Sequence, residues 1–408
     1  MTPRDPVSRI SEAAFPEAKR PGGPFVEGRF KNTVRSERLA TILGICLWIG
    51  FTLCLLTGLI SWFLQHPNWY FPWPAWWAGT YRITQGTHLV VGLALIPIIL
   101  AKLWTVYPKL FQWPPFKSTP HLIERILLAP LIAGGIFVLV TGAFNIQYWY
   151  TWKFFFPTAH FWSAMIVMGA LIVHIASQWK VITRNIGRRY RESLAGFEPG
   201  ASGRPLDPHA LERRRFLTGV GLASIAVAGL TAGDAIRFLR PVSILAPRVG
   251  NIGPQGFPVN KTARQAGTTE LAQDPNWRLV VTGRVAREVT LSRDDLLRMD
   301  QETFTLPIAC VEGWSVSKIW TGPTVSAVLD LAGPDEGFEK VRFESLQPSG
   351  RFNHSVQKRP FVEAHNSLVA LKVEGEDLAL DHGFPARLMI PNQPGVLQTK
   401  WLSRIEVL

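Results

Sequence analysis

Four long apolar segments dominate the first half of the chain, near residues 39–64, 82–106, 122–147 and 157–181. Each is long enough to cross a hydrocarbon core of about 30 Å at about 1.5 Å of rise per residue. A fifth apolar segment runs from Thr218 to Gly233, directly after a stretch rich in arginine. The pattern predicts a four-helix transmembrane bundle over residues 37–192 and a fifth transmembrane anchor over residues 213–240.

The pattern changes at Trp277, where short runs rich in β-branched and aromatic residues alternate with Gly, Pro and Asp turns. Such runs predict strands. They lie at 277–281, 288–291, 340–344, 368–373, 386–390 and 402–407, with helices predicted at 293–298 and 324–332. The sequence therefore predicts a multidomain protein, in which an α+β domain over residues 241–408 follows the all-α membrane part.

Composition agrees with a membrane part, since 47% of the 408 residues are hydrophobic and only 18% are charged. The net charge of +13 would suit nucleic acid, but the Lys and Arg residues cluster beside apolar runs. We therefore expect the lipid bilayer as a partner, and no nucleic acid. Three cysteines cannot build a disulfide framework, and Cys46 and Cys54 lie in one apolar segment, which leaves Cys310.

The distribution of basic residues predicts the topology. Arg and Lys precede the first span, flank the second-to-third connection and follow the fourth span, whereas the loop 65–81 carries no charged residue. By the positive-inside rule the tail 1–36, the loop 107–121 and the linker 193–212 lie in the cytoplasm, and residues 241–408 lie on the opposite side. The tail is polar and lacks periodicity, so we expect it to be mobile.

An arginine pair stands immediately before the fifth span, in Arg213-Arg214-x-Phe216-Leu217. This stretch resembles the twin-arginine export signal, here placed inside the chain. The resemblance implies a multi-pass protein of the bacterial cytoplasmic membrane, whose periplasmic domain is exported folded around a cofactor. The alternative is that the arginines only anchor the inner end of a span, and it gives the same topology.

Histidines recur at related places in the bundle. Thr57-Gly58 and Thr141-Gly142 end the first and third spans, while His88 and His160 open the second and fourth. His174 follows His160 by fourteen residues, which places it on the same helix face and roughly 21 Å deeper. Histidines within a membrane are functional candidates, here as ligands of haem iron, although buried hydrogen-bonded histidines remain the alternative.

With these histidines, residues 39–182 resemble the bacterial b-type cytochromes that serve as membrane subunits of dehydrogenases and reductases. The resemblance implies haem b held by His88 and His160, and electron exchange with membrane quinone. In that family a second haem pairs the deeper histidine, here His174, with a histidine of the first helix. Residues 44–46 offer none, and Lys102 stands fourteen residues after His88. We therefore expect one haem and leave a second at His174 open.

Three stretches of the C-terminal half lack an obvious packing purpose: residues 306–315, 380–387 and 395–401. The first is a strand that runs into a glycine turn and presents Cys310, whose thiolate could bind a soft metal, although a buried cysteine is more often a small apolar residue. The other two place His382, Arg387 and Lys400 on turns beside strands, which suits an anionic ligand such as a phosphate.

In this order the three stretches resemble the sulfite oxidase-type molybdopterin domain over residues 250–408. The segment Cys-Val-Glu-Gly-Trp-Ser at 310–315 is most similar to the catalytic subunit of the periplasmic methionine sulfoxide reductase. The resemblance implies that Cys310 ligates molybdenum. It also implies that the following residues contact the molybdopterin: His382, Arg387 and Lys400, with Asn260 and Thr262 from the family's N-terminal segment.

Together these resemblances imply a molybdenum-dependent oxidoreductase that transfers an oxygen atom on a periplasmic small-molecule or methionine sulfoxide-type substrate. Electrons would be exchanged with the quinone pool through haem b. The alternatives are a dehydrogenase for sulfite or another small donor, and a non-catalytic haem- and pterin-binding or sensor protein.

Overall fold

The computed structural model describes the chain apart from residues 1–4, 17–18, 27, 31, 70, 72, 76–77, 187–208, 233–236, 247, 249–250, 311 and 313. Most of the predicted linker 193–212 thus lies outside the described residues. The chain divides into two compact units. The first consists of Met1–Leu56 and Val90–Gly229, and the second consists of Thr57–Leu89 and Leu230–Leu408.

The first half of the chain is helical, with α1 (Pro6–Ala14), α2 (Glu37–Gln65), α3 (Thr80–Val106), α4 (Thr119–Ile146), α5 (Phe156–Ile186) and α6 (Ala210–Ala232). Of the described helices, α2 to α6 are long and apolar enough to cross a membrane. The first four predicted apolar segments are therefore helices to within a few residues, and the fifth helix ends at Ala232 rather than at residue 240. That these helices span a membrane stays a prediction. Local capping explains the ends: α4 begins at Ser118, whose hydroxyl accepts from the His121 amide, with Pro120 in the first turn.

Small residues let the helices of the first unit approach closely. A Cβ added to Gly134 on α4 would lie 2.7 Å from Val167 on α5, and one added to Gly50 on α2 would lie 2.4 Å from Leu95 on α3. Val167 and Leu95 are almost completely buried. Close backbone approach is the usual means of packing helices in a membrane, where burial of apolar side chains contributes little.

The N-terminal segment differs from the predicted mobile tail. Asp5 caps α1 and also accepts from the Thr119 amide and hydroxyl, both at 2.7 Å. Phe15 and Phe25 each place a ring edge-on against Trp113. These contacts are made by single aromatic residues and one carboxylate, so they leave no periodic signal in the sequence.

The C-terminal half contains eleven strands within the described residues: β1 (Arg278–Gly283), β2 (Val289–Ser292), β3 (Glu302–Ala309), β4 (Ser315–Gly322), β5 (Lys340–Ser345), β6 (His354–Lys358), β7 (Leu368–Ala370), β8 (Lys372–Val373), β9 (Glu376–Asp377), β10 (Arg387–Met389) and β11 (Leu402–Val407). Short helices join them: α7 (Ala263–Ala266), α8 (Thr269–Gln273), α9 (Arg293–Arg298), α10 (Val325–Asp330) and α11 (Arg359–Val362).

The strands form three sheets. A five-stranded sheet has the order β2-β1-β11-β5-β6, a four-stranded sheet has the order β3-β4-β8-β9, and β10 pairs with β7. Only β1 and β11 run parallel within the first sheet. The predicted strand at 368–373 is two strands in different sheets, and β6 was not predicted because its residues His-Ser-Val-Gln-Lys are mostly polar.

The second unit also includes the end of α2, the start of α3 and the loop between them, which the sequence assigned to the bundle. Leu64 and Tyr81 lie in the main apolar core of the C-terminal domain. The Tyr81 amide donates to Oδ1 of Asn392 at 3.2 Å, and Nδ2 of Asn392 donates to the Pro74 carbonyl at 2.8 Å. This part of the helical hairpin is thus a structural component of the C-terminal domain.

Candidate functional site

Cys310 lies directly after β3 and is 2% exposed. Its amide donates to the Trp314 carbonyl at 3.0 Å, which closes the turn that presents the thiol. Its Sγ accepts from Nδ2 of Asn260 at 3.0 Å and from the Glu312 amide at 3.4 Å. Donors directed at sulfur stabilise the thiolate form, which is the form that binds a soft metal.

A glycine turn brings the three predicted anion-binding residues together. Gly383 has φ of +116°, and a Cβ there would lie 3.2 Å from Cβ of Lys400 and 3.3 Å from Cβ of Arg387. Only glycine adopts this backbone conformation readily and leaves room for both neighbours. The turn therefore places His382, Arg387 and Lys400 beside one another.

His382 is 1% exposed, and its ring stacks on Phe257 with centroids 3.5 Å apart and an interplanar angle of 7°. Its Nδ1 is hydrogen bonded to Oε1 of Gln255 at 3.2 Å, while Nε2 is buried without a partner among the described residues. Burial, followed by the nearby charge of Arg387, lowers the pKa of His382 to about 3. The imidazole is therefore neutral and has one ring nitrogen available for a ligand.

Arg387 and Lys400 are buried cations. Arg387 donates from NH1 to the His382 carbonyl at 3.1 Å, and its Nε has no partner among the described residues. Lys400 donates from Nζ to the Asp381 carbonyl at 2.9 Å and to the Lys261 carbonyl at 2.5 Å. Burial lowers the pKa of Lys400 to about 7, with the charge of Arg387 as the next cause, and burial lowers the pKa of Arg387 to about 10.

Within the described part of the chain, no carboxylate lies within 4.0 Å of either cation. Unpaired buried charge is costly, and such charges normally have an ion or ligand as partner. The pair of cations thus indicates a binding site for an anionic group.

Sequence reasoning missed Glu312, which stands two residues after Cys310. Burial raises the pKa of Glu312 to about 7, and its Oε2 has no partner among the described residues. The site therefore contains a carboxyl group that is partly protonated near neutral pH. The available signal was an acidic residue within an otherwise apolar segment.

Asn260 and Thr262, which were predicted to contact the molybdopterin, differ in their surroundings. Asn260 contacts the thiol of Cys310 directly, as described above. The Thr262 hydroxyl accepts from the Gln265 amide at 3.1 Å and thereby caps α7. The next residue, Ala263, donates its amide to Oδ1 of Asp381 at 2.8 Å, which ties this segment to the turn before Gly383. A contact between Thr262 and a cofactor stays a prediction.

Comparison with known proteins finds a family that matches the C-terminal half of the chain. Residues 266–408 match the family model described as "Oxidoreductase molybdopterin binding domain". The C-terminal half contains a molybdopterin-binding oxidoreductase domain. This match supports the sulfite oxidase-type molybdopterin domain that the sequence predicted.

Two of the curated proteins that match this chain are named "Nitrate reductase [NADPH]". The protein of Beauveria bassiana is 30% identical over 155 residues, which are 32% of this chain and 17% of the relative. The protein of Aspergillus niger is 29% identical over 168 residues, which are 35% of this chain and 19% of the relative. A solved structure, the sulfane dehydrogenase SoxCD of Paracoccus pantotrophus, has a TM-score of 0.31 and 24% identity over 33% of this chain and 38% of that chain.

The residues around Cys310 fit the molybdenum cofactor. A thiolate is a soft ligand for a transition metal, and paired cations with an unpartnered imidazole nitrogen suit a pterin phosphate. Among the described residues, no three His, Cys, Asp or Glu side chains converge as a metal site. Ligation of molybdenum by Cys310 and cofactor contacts of the three residues around Gly383 stay predictions.

The histidines of the helical region make matching contacts. His88 is hydrogen bonded through Nδ1 to the hydroxyl in Thr57-Gly58 at 3.1 Å, and His160 makes the same 3.1 Å contact with Thr141-Gly142. A Cβ on either glycine would lie 3.3 or 3.4 Å from the imidazole. Such a hydrogen bond orients a ligating histidine. Nδ1 of His174 is buried without a partner in the described chain. Haem ligation by these residues stays a prediction.

The compact unit that contains the molybdopterin domain also contains the start of α3, the helix that carries His88. Ala78, just before α3, packs on the apolar cluster that contains Cys310. The Tyr81 hydroxyl lies 3.0 Å from Oγ of Ser61 and donates to Oε1 of Gln85 at 3.3 Å. His88 follows Tyr81 by seven residues, or about 10 Å along the helix. One continuous element thus joins the surroundings of Cys310 to a candidate haem ligand.

Proposed function

We propose that this protein couples oxygen-atom transfer at a molybdenum centre to the membrane quinone pool through haem b. In the favoured direction, a quinol and a sulfoxide-type or N-oxide-type substrate yield quinone, the deoxygenated product and water. Two electrons and two protons leave the quinol, and the oxygen atom leaves the substrate as water.

The observation that carries the proposal is that adjacent residues contact the thiol and one of the cations: Asn260 donates to Sγ of Cys310, and the Lys261 carbonyl accepts from Nζ of Lys400. Lys400 and Arg387 are buried on either side of Gly383 and lack a carboxylate partner among the described residues. In this arrangement Asn260 would orient the thiolate, and Arg387 and Lys400 would bind the pterin phosphate. Nε2 of His382 would supply a further hydrogen bond to the cofactor. The molybdenum cofactor, when bound, supplies the two-electron oxygen-atom chemistry, and the chain supplies position, charge and exclusion of water.

Haem b is proposed at His88 and His160, near the periplasmic face predicted by the positive-inside rule. The compact units support this location, because the start of α3 with His88 belongs to the same unit as Cys310. The protein would then lie in the bacterial cytoplasmic membrane with its molybdopterin domain in the periplasm.

The reductive direction is favoured by the similarity of residues 310–315 to the methionine sulfoxide reductase catalytic subunit. The two curated relatives reported above are also named as reductases. Two assays decide between the directions. Turnover with reduced viologen as electron donor indicates reduction of an oxidised substrate, and turnover with ferricyanide as electron acceptor indicates oxidation of a small donor. A purified protein without molybdenum would instead favour the non-catalytic alternative.

The direct test is Cys310→Ser in the full chain, with Cys46→Ser on α2 as the matched control. A hydroxyl is a poorer ligand than a thiolate for a soft metal, so we expect Cys310→Ser to lower viologen-coupled turnover by at least about 100-fold. Haem per polypeptide should stay equal in both variants. Undiminished turnover in Cys310→Ser would remove this residue from the site.

A further inference from the structure

The turn that precedes Phe257 has a strained backbone and directs a glutamine side chain toward His382. Gly253 has φ of +129° and Gly256 has φ of +70°, and between them Gln255 has φ of +53°. A left-handed φ is uncommon for a residue that carries a Cβ, and it costs free energy. Such strain persists where the surrounding contacts maintain it, and it is frequent beside ligand sites. The contacts of Gln255 therefore bear on how the site works.

Two backbone groups determine the orientation of the Gln255 amide. Its Nε2 donates to the Asp377 carbonyl at 2.7 Å, and its Oε1 accepts from the Ala379 amide at 2.9 Å. A backbone carbonyl only accepts and a backbone N–H only donates, so exchanging the oxygen and nitrogen of the side chain would lose both hydrogen bonds. Oε1 is therefore the atom that also faces His382.

This oxygen determines which ring nitrogen of His382 carries the proton. Oε1 of Gln255 lies 3.2 Å from Nδ1 of His382. An amide oxygen only accepts, so the hydrogen bond requires a proton on Nδ1. The imidazole is neutral, as described above, and a neutral imidazole has one protonated nitrogen. Nε2, which is buried without a partner among the described residues, therefore presents a lone pair.

Stacking holds the imidazole in this orientation. The ring of Phe257 lies parallel to that of His382 at 3.5 Å and meets Trp320 edge-on at 5.8 Å. The His382 amide donates to the Ala379 carbonyl at 2.8 Å, so Ala379 contacts both the histidine backbone and the glutamine side chain. Turning the ring over would replace Nδ1 by a carbon and lose the hydrogen bond to Gln255. The direction of Nε2 is thus set by the stacking and by this hydrogen bond.

The lone pair on Nε2 differs in kind from the two cations beside it. Arg387 and Lys400 carry N–H donors, and Nε of Arg387 has no partner among the described residues. Deprotonated phosphate oxygens are hydrogen-bond acceptors, which the cations attract and which a lone pair repels. A pterin ring, by contrast, carries N–H and amino groups that donate. The polarity of Nε2 therefore suits the ring system rather than the phosphate.

We propose that Gln255 is a positioning residue that keeps the proton of His382 on Nδ1, so that Nε2 accepts a hydrogen bond from an N–H group of the pterin ring. The sequence placed His382, Arg387 and Lys400 together around an anion. Here the two cations contact the phosphate, and the histidine contacts the ring. The inference rests on the proposed function, which requires the pterin cofactor but does not say which of its atoms each residue contacts.

The experiment observes the ring nitrogens directly. The full chain is produced with nitrogen-15 in its histidine rings, in cells that do not make the molybdopterin cofactor, and the signals of His382 are identified by their loss in His382→Gln. We expect a protonated-type shift at Nδ1 and an unprotonated-type shift at Nε2. Gln255→Met keeps the side-chain length but removes the acceptor, so the proton should move toward Nε2. Gln273→Met, the same change at an exposed position, should leave the spectrum unaltered.

The cofactor-loaded chain tests the partner of Nε2. An acceptor keeps its unprotonated-type shift when the cofactor binds, and we expect this result in the parent. Gln255→Met loses one oriented hydrogen bond to the cofactor, so molybdenum per polypeptide should fall by up to about tenfold when the cofactor supply is limiting. Gln273→Met should load like the parent.

Three results would overturn the inference while the proposed function stands. If Nε2 carries the proton in the parent, the assigned tautomer is wrong. If Gln255→Met keeps the tautomer of the parent, another group sets it. If Nε2 gains a proton when the cofactor binds, its partner is an acceptor such as a phosphate oxygen. A parent that holds no molybdenum under replete supply would overturn the proposed function, and with it the ligand assigned to Nε2.

Discussion

At the scale of single residues, Lys400 shows how the site is prepared for an anion. Its ammonium is buried beside Arg387, and its pKa falls to about 7. A folded-state pKa below the ordinary value means that the unfolded chain holds more protons between about pH 7 and pH 10. The stability of the cofactor-free domain should therefore rise with pH in this window, because the cost of burying the charge is relieved there. A bound phosphate would pair the charge and remove this dependence.

We predict that Lys400→Met flattens the pH dependence of unfolding of the cofactor-free chain between pH 7 and pH 9.5. The parent should gain up to about 1.4 kcal/mol per pH unit there. His382, with a pKa of about 3, and Glu312, with a pKa of about 7, change their contributions mainly below this window. Chemical unfolding at a series of pH values measures the slope, with Lys372→Met on β8 as control. An equal slope in Lys400→Met and the parent would contradict the assignment.

At the scale of elements, the start of α3 depends on a side chain far along the chain. The first amides of a helix have no partner within it. At Tyr81 the partner is Asn392, 311 positions away, which also binds the Pro74 carbonyl. Asn392 has φ of +56°, a conformation that asparagine tolerates better than most residues. This one amide group joins the helix carrying His88 to the molybdopterin domain.

We predict that Asn392→Leu loosens this junction, because it leaves a buried amide and a carbonyl unpaired at a cost of about 1–3 kcal/mol each. Hydrogen exchange of the Tyr81 amide should accelerate at least about tenfold. Asn392→Gly is the backbone-matched control: it accepts the positive φ but also lacks the hydrogen bonds, so it should exchange equally fast. Slow exchange in both variants would show that Asn392 does not hold the helix start.

At the scale of the whole molecule, the two predicted haem ligands belong to different compact units. His88 is in the second unit and His160 is in the first. In the proposed function the haem held by His88 and His160 carries electrons between quinone and the molybdopterin domain. Loss of either ligand should therefore separate the two half-reactions without stopping the chemistry at Cys310.

We predict that His160→Ala loses haem and abolishes quinol-coupled turnover, because one axial position is left unfilled in an apolar bundle. Turnover with a soluble viologen should stay within about twofold of the parent. His66→Ala, in the loop after α2, is the control and should keep its haem. Haem counted per polypeptide decides the assignment, and loss of all haem in His174→Ala with none lost in His160→Ala would reverse it.

The sequence by itself determined the features that depend on neighbouring residues. Apolar run length indicated the spans, because a helix must stay apolar across the hydrocarbon core. Alternation of side chains indicated most strands. The resemblance of residues 310–315, 380–387 and 395–401 to the sulfite oxidase type identified the domain that the comparisons confirm, and it brought Cys310 and Lys400 into one predicted site.

Tertiary structure decided what depends on contacts between distant segments. Residues 57–89 belong to the same compact unit as the molybdopterin domain, with contacts through Asn392 and the packing of Tyr81. The near-neutral pKa of Glu312 arises from burial, which its sequence neighbours do not reveal. The N-terminal segment packs through isolated aromatic rings, which have no period. Such contacts are selected by complementary shape and by the pairing of buried polar groups, and both exist only once the chain has folded.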